Sequence, residues 1–399
     1  MIPLSDARAF VLSACPVGPT EMVPVDDALD LVTSADVEAT GPIPPFDNTA
    51  MDGFAIRSSD VADPPTTLRM IGTIAAGSRP DVTVGEGEAV RIMTGAPMPE
   101  GADAVVMVEL TSMSADEQSV EVTESVPVGN HIRPTGDDVV AGQTVFPAGT
   151  VLRPAHLGVC TSIGVYEVPV VRRPRIGVIS TGDELVDSPA PLAIGQIRDS
   201  NRHTLLALVR SMGALGIDLG VVPDDEAMIR EAMLGAADTC DAVVTSGGVS
   251  MGDFDYVKKV LTEIGDMRWM QVAIKPAKPL AFGTIEGVPI FGLPGNPVSS
   301  MVSFELFARP GIRQMMGHAD PVLPPLRGVA GDDLPRRPDG KVHFARVHAD
   351  PDTDGRHVAR FSGGQGSHQL SAMANGNALA IIPDGDGIRA GDPVDLLLF

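Results

Sequence analysis

Three stretches carry residues that could do chemistry. Ser246-Gly247-Gly248-Val249-Ser250-Met251-Gly252-Asp253-Phe254-Asp255 leaves an apolar run, Ala242-Val243-Val244, as a glycine-rich loop and meets two carboxylates just before an expected helix. Lys275-Pro276-Ala277-Lys278-Pro279 carries two ammonium groups, each before a proline that biases it to an extended backbone. Spaced by three in that conformation, the two side chains share one face and suit a tetrahedral oxyanion. Gly292-Leu293-Pro294-Gly295-Asn296-Pro297 turns into a helix at Val298. Free N–H groups, a metal-suited acid pair and two cations together fit a phosphorylated ligand and a small oxyanion.

Each feature also has a plainer reading. Glycines 247 and 248 could form an ordinary strand–helix turn, and the lysines a solvated basic turn. Apolar Val272-Ala-Ile274 and Leu280-Ala-Phe282 on either side favour the functional reading of the lysines. Ser180-Thr181-Gly182-Asp183-Glu184, Asp224-Asp225 and Ser246 to Asp255 each follow an expected strand. Any one acidic pair reads as a helix N-cap. Three converging on one sheet edge read as a site, with Glu184, Asp224 and Asp255 as direct or water-mediated Mg²⁺ ligands, and with Asp253 as a possible cap. No GxxxxGK[ST] or GxGxxG is present, so neither a P-loop ATPase nor a dinucleotide enzyme has support.

The elements that must hold these residues follow from texture. At 399 residues the chain calls for two to four domains, at about 150 residues each. Residues 174–320 alternate strand and helix: Arg175 to Ser180, a helix capped by Ser200 or Asn201, Ile217 to Val222, a helix capped by Asp224 or Asp225, Ala242 to Thr245, and a helix from Tyr256 to Ile264. That pattern predicts a three-layer α/β/α domain with a mostly parallel sheet and ligands at the strands' carboxyl ends. Residues 46–139 hold short β-branched runs between Gly, Pro and acidic turns, which predicts a small β domain. Residues 321–399 predict a last β domain. Residues 1–45 predict helices from Asp6 to Ser13 and from Asp26 toward Thr33, closed by Gly41-Pro42-Ile43-Pro44-Pro45, with residues 140–173 returning to pack on them.

Composition excludes several classes. The 29 Lys and Arg against 52 Asp and Glu give a formal charge of −23, which repels nucleic acid and acidic membranes. Aromatics at 4% leave little for base stacking. Any anion must therefore be held locally. Cys15, Cys160 and Cys240 are far apart with no CxxC, which argues against disulfides or a zinc site and for a reducing cytoplasm. Leu12-Ser13-Ala14-Cys15 mimics a lipoprotein box, but its apolar stretch falls short of the roughly 7–15 residues a signal needs. No apolar run is expected to span a bilayer. The histidines have no metal spacing, His343 and His348 included.

Asp47-Asn48-Thr49-Ala50-Met51-Asp52-Gly53, Met93-Thr94-Gly95-Ala96, Ser180 to Leu185, Ser246 to Ser250, Lys275 to Pro279, Leu293 to Pro297 and Gly366-Ser367-His368, in that order, resemble the molybdopterin molybdenumtransferase family, which includes the E domain of gephyrin. The resemblance implies four domains with a barrel-like C-terminal one, a central domain shared with molybdopterin adenylyltransferases, and a homodimer. It implies insertion of molybdenum from molybdate into adenylylated molybdopterin, with Mg²⁺ as cofactor and AMP released, and contacts with the adenylyltransferase and apo-molybdoenzymes. It places Asp52, Thr94, Asp138, Glu184 and Asp255 among catalytic residues, with Asp224 in the acid set. Gly247, Gly248, Ser250, Lys275, Lys278, Pro294, Asn296, Arg346 and Ser371 become substrate-binding, with Asp52 and Thr94 serving the partner's ligand. Thr49 and Phe54 depart from the family's serine and tyrosine; the lost hydroxyl matters only where it would meet ligand. A molybdopterin adenylyltransferase and a non-catalytic, gephyrin-like scaffold are the alternatives.

Overall fold

The computed structural model describes residues 1–247 and 256–399; the expectations for Gly248, Ser250, Asp253 and Asp255 lie outside the described residues. The first helix, Leu4–Ser13, buries Ala7 and Val11 against the central sheet. Thr20–Pro24 then pairs antiparallel with Glu167–Val171. The second predicted helix is absent. A single 3-10 turn, Val25–Asp27, stands in its place, and Asp30 takes a left-handed φ of 63° that ends any helical run. Leu31 and Val32 are spent on non-local pairing instead, accepting from the N–H groups of Leu152 and Val171 at 2.8 and 2.9 Å. Tertiary burial has overridden local helix preference.

Six strands form the next sheet, in the order Ala104–Met107, Gly53–Ile56, Glu88–Ile92, Thr66–Ile74, Ser119–Val122, Thr111–Met113. Gly53–Ile56 is an interior strand buried at every position. Phe54 packs with Ile56, Leu68 and Val106 in an apolar core, so its missing hydroxyl faces no ligand. Gly53 has a steric cause: a Cβ there would stand 2.1 Å from the Val106 carbonyl oxygen.

The central sheet runs Leu215–Val222, Arg175–Thr181, Ala242–Ser246, Val288–Leu293, Pro279–Ile285, Asp266–Gln271. The first four strands are parallel and the last two antiparallel, so the carboxyl ends at Thr181, Val222, Ser246 and Leu293 share one edge. One face is covered by Ser200–Ser211, the helix after Pro297 and the N-terminal helix; the other by Glu226–Thr239 and Tyr256–Ile264. Asp199, rather than Ser200 or Asn201, caps the helix Ser200–Ser211, and Asp225 caps Glu226–Thr239 by accepting from Ala227 and Met228 at 2.9 Å.

The last five-strand unit closes on itself: Val342–Pro351, His357–Phe361, Leu326–Ala330, Pro393–Leu398, Ala378–Ile382, and back to Val342–Pro351. Ala345, Ala349, Ala359, Ala378 and Ala380 fill it, as a narrow barrel requires. Ile274–Lys275, from the central unit, adds to this sheet as a parallel strand beside Val342–His343. Core residues of both units then merge, Phe282 and Phe291 with Phe344, Met373 and Leu379.

Beneath the carboxyl edge lies Arg202, 3% exposed, ion-paired with Asp187, Asp199 and Asp218. Burial alone would lower its pKa, yet the three carboxylates push it up. Asp187 and Asp218 are 48% and 44% exposed and contribute little; the Asp199 side chain is 1% exposed and depends on the arginine. Arg202→Ala leaves that carboxylate unpaired, at a cost of about 3 kcal/mol. We expect a lower urea midpoint of unfolding; an unchanged midpoint would show the cluster to be energetically idle.

Candidate functional site

The strand ends bring several predicted residues to one edge. Glu184 and Asp224 are exposed in loops after neighbouring strands, and the Asp224 N–H donates to Asp183 Oδ1 at 3.1 Å, tying those loops together. Among the described residues no three His, Cys, Asp or Glu side chains converge on one metal-sized point. Gly247, at a φ of 100°, donates its N–H to the Leu293 carbonyl at 3.1 Å, and Gly295 lies directly against it. Buried Pro294 and exposed Asn296 belong to that second loop, and the Asn296 carbonyl accepts from Ser300 at 2.9 Å at the helix start. Asn201 joins the two loops: its amide donates to Ser246 Oγ and to the Gly295 carbonyl, both at 2.7 Å. Sequence reading saw Asn201 only as a capping candidate, because nothing in the chain's order shows which loops it will reach.

The lysines occupy a turn rather than the extended run expected of them. The Lys275–Pro276 peptide is cis, and Ala277 is left-handed at a φ of 68° and buried. Both ammonium groups nonetheless line one cleft, of about 830 Å³, between the central sheet and the barrel. Arg336, Arg337, Lys341 and Arg346 line it too, with Asp339 and His343. Asp339 and Asp384 neutralise Arg336, and Asp339 also pairs with Lys341 at 2.9 Å, which with His343 holds its carboxyl at about 2. Burial lowers the His343 pKa despite that neighbour. Lys275, Lys278, Arg337 and Arg346 have no carboxylate partner among the described residues.

Arg346 is the unusual member. Only 1% exposed, it donates through Nη2 to the carbonyls of Gly364 and Gly366 at 2.7 and 3.2 Å, while Nε is buried without a partner. Burial pulls its pKa down, but a guanidinium stays charged. It shapes the Gly364–Ser367 loop, and the Ser367 carbonyl accepts from Val298 at the start of the helix beyond Asn296. Ser371 is exposed on Leu370–Ala374 and is not among the residues lining the cleft, whereas Ser299 and Ser367 are. Arg337 and Gln365, both in loops, were missed for want of a motif, and His343, on Val342–Pro351, was weighed only for metal spacing.

Asp52 and Thr94 meet in the N-terminal β domain. Both are exposed, and Thr94 donates its hydroxyl and its N–H to Asp52 Oδ1 at 2.6 and 2.7 Å. Asp138 is also exposed, its N–H bonded to the Ile43 carbonyl at 2.9 Å. None of these three lines the cleft.

An open α/β sheet joined to a closed barrel, with cations at the seam and carboxylates on the strand edge, defines a multidomain α/β and β protein with a cationic cleft between its units. Residues 2–164 match the MoeA N-terminal region (domain I and II), residues 177–314 a probable molybdopterin binding domain, and residues 327–399 the MoeA C-terminal region (domain IV). The molybdopterin molybdenumtransferase of Haemophilus influenzae is 37% identical over 99% of this chain and 98% of its own. Molybdopterin molybdenumtransferase 2 of Mycobacterium tuberculosis is 40% identical over 91% of this chain and 90% of its own. The crystal structure of the molybdopterin biosynthesis moeA protein from Pyrococcus horikoshii OT3 superposes with a TM-score of 0.86 at 30% identity, covering 100% of both chains. The chain belongs to the molybdopterin molybdenumtransferase family. No described helix is long and apolar enough to cross a membrane.

The hydroxyl of Thr94, followed by its N–H, holds the Asp52 carboxyl below the usual carboxylate range. A depressed folded-state pKa keeps the group ionised to lower pH. Thr94→Ala removes the larger of the two hydrogen bonds, so the Asp52 pKa should rise toward the ordinary value. A carboxyl-carbon NMR titration reads this directly; an unmoved titration would mean that the pair does not persist in solution.

Proposed function

We infer that this protein transfers molybdenum from molybdate to adenylylated molybdopterin and releases AMP, in molybdenum cofactor biosynthesis. The observation that carries the reading is Arg346, a buried guanidinium with no carboxylate partner among the described residues, in one cleft with two lysines that likewise have none there, in a chain charged −23. Leaving such a charge uncompensated is costly, so the cleft favours an anion. Lys275, Lys278 and Arg346 would hold molybdate, with Ser371 next to that loop system. Gly247, Pro294 and Asn296, with Gly248 and Ser250, would hold the pterin phosphate and adenylate, where close backbone approach lets N–H groups face oxygens.

The donor set fits Mg²⁺. Glu184 and Asp224 present exposed carboxylate oxygens from adjoining loops, the ligand type that this hard cation takes alongside water and phosphate. Bound there with Asp255, Mg²⁺ would supply neutralisation of charge developing on the phosphoanhydride. Asp52, oriented by Thr94, would position water or ligand, and Asp138 would complete the acid set. In a homodimer Asp52 and Thr94 would serve the ligand of a second copy. Three free cysteines support a cytoplasmic location, and a place in the cofactor pathway supports encounters with the adenylyltransferase and apo-molybdoenzymes.

AMP release from adenylylated molybdopterin, measured with and without molybdate, tests the whole reading. We expect release that needs molybdate and stops when EDTA removes the divalent cation. Lys275→Ala and Lys278→Ala should each raise the half-saturating molybdate concentration roughly ten- to hundredfold, the equivalent of losing one charge-assisted hydrogen bond of about 1.5–3 kcal/mol. Adenylylation of molybdopterin from ATP instead would make the protein an adenylyltransferase. Neither activity in a folded protein would make it a scaffold.

A further inference from the structure

Four consecutive residues, Asp199-Ser200-Asn201-Arg202, reach three of the four parallel strands of the central sheet and the loop after the fourth. Asp199 accepts from Ser180 Oγ at 3.0 Å, at the end of the strand Arg175–Thr181. Arg202 pairs with Asp218 in the strand Leu215–Val222. Asn201 bonds Ser246 Oγ, at the last residue of the third strand, and the Gly295 carbonyl, two residues beyond the fourth. The amide orientation is set chemically: Gly295 offers only an acceptor, so the nitrogen must face it. Ser246 Oγ, receiving the other amide hydrogen, keeps its own proton to donate.

We propose that Asn201 is a positioning residue, which fixes the spacing between the strand end Ser246-Gly247 and the loop Pro294-Gly295-Asn296. The argument rests on the ligand-binding role given to those segments above. Asn201 lies in the first turn of a helix whose cap and whose neighbouring arginine are both buried and ion-paired, so its own backbone has little room to move. It is also partly exposed and outside the apolar core, so losing its side chain leaves no cavity there. A residue so placed sets loop geometry without bearing the fold's stability. Its two bonds join segments that, among the described residues, no strand pairing links beyond Ser246 and Leu293. Only the Gly247 N–H to the Leu293 carbonyl crosses the same gap among the described backbone bonds.

The test compares Asn201→Ala and the isosteric Asn201→Asp with the full-length protein in the AMP-release assay, beside hydrogen exchange over residues 242–247 and 293–299. Both variants should raise KM for adenylylated molybdopterin about tenfold, with kcat within about twofold, and leave half-saturating molybdate and the thermal midpoint as they were. Exchange in both segments should quicken together. Asn201→Asp should raise KM at least as far as Asn201→Ala, since it keeps the size but loses the donor that Gly295 needs. An unchanged KM with unchanged exchange overturns the proposal, and so does a rise in KM that comes only with a lowered thermal midpoint. If the unaltered protein releases no AMP, the functional reading fails; coupled exchange in the variants would then still uphold Asn201 as the clamp, and unaltered exchange would refute it.

Discussion

The pairing of Ile274–Lys275 with Val342–His343 is the interaction on which the cleft depends. Two residues leave the central unit, add to the barrel sheet, and return at Pro279 as a strand of their own sheet. Ile274 is fully buried in a core that also holds Phe282, Phe291, Phe344 and Leu379, so the joint is sealed on its apolar side. Lys275, next along the chain, is thereby forced outward into the cleft. Closely packed interiors resist sliding, since small gaps forfeit much of the dispersion energy. The lysine ammonium groups and the Arg346 guanidinium come from different units, and the fixed seam is what keeps them facing one volume.

Charge explains why the site must be local. At physiological ionic strength the screening length is about 8 Å, so most of the 52 acidic side chains are not felt strongly inside the cleft. What matters is the handful of groups lining it, and those are cationic once Asp339 has been spent on Arg336 and Lys341. The surrounding negative field still discriminates. A large polyanion that touches much of the surface is repelled, whereas a small one that fits the cleft meets mainly the cations. The exposed carboxylates Glu184 and Asp224, on the loops after Arg175–Thr181 and Leu215–Val222, are not among the residues that line the cleft with the lysines.

Much of this was legible in the order of residues, and the exceptions share a cause. Strands such as Arg175–Thr181 and Ala242–Ser246 are short apolar runs whose neighbours are helices, so local pattern sufficed to place them. Gly53–Ile56 defeated the same logic because a tight, glycine-bearing polar stretch precedes it; its membership of a sheet depends on Ala104–Met107 and Glu88–Ile92, which are far away in sequence. The segment after Asp26 failed for the same reason, Val32 and Thr33 being used for pairing with Val151 and Val170. Both lysines line one cleft, although the backbone that brings them there is a turn and not the extended run expected. Arg346 was reached through resemblance alone. In sequence it is one arginine in a β-rich tail, and its burial without a counter-ion follows only from barrel closure.

The barrel interior supplies the last link between composition and chemistry. Its alanines let five strands close tightly, and closure brings Val342–Pro351 against both His357–Phe361 and Ala378–Ile382. Arg346 lies in the middle of that strand, paired with Leu379, so its backbone has no freedom to retreat. A long cationic side chain on an exposed loop would fold outward toward water. Held at this register it meets two carbonyls instead, which satisfy one nitrogen and leave Nε bare. The fold thus sets aside part of a guanidinium's hydrogen-bonding capacity, and an anion in the cleft is the partner whose charge and geometry would use it.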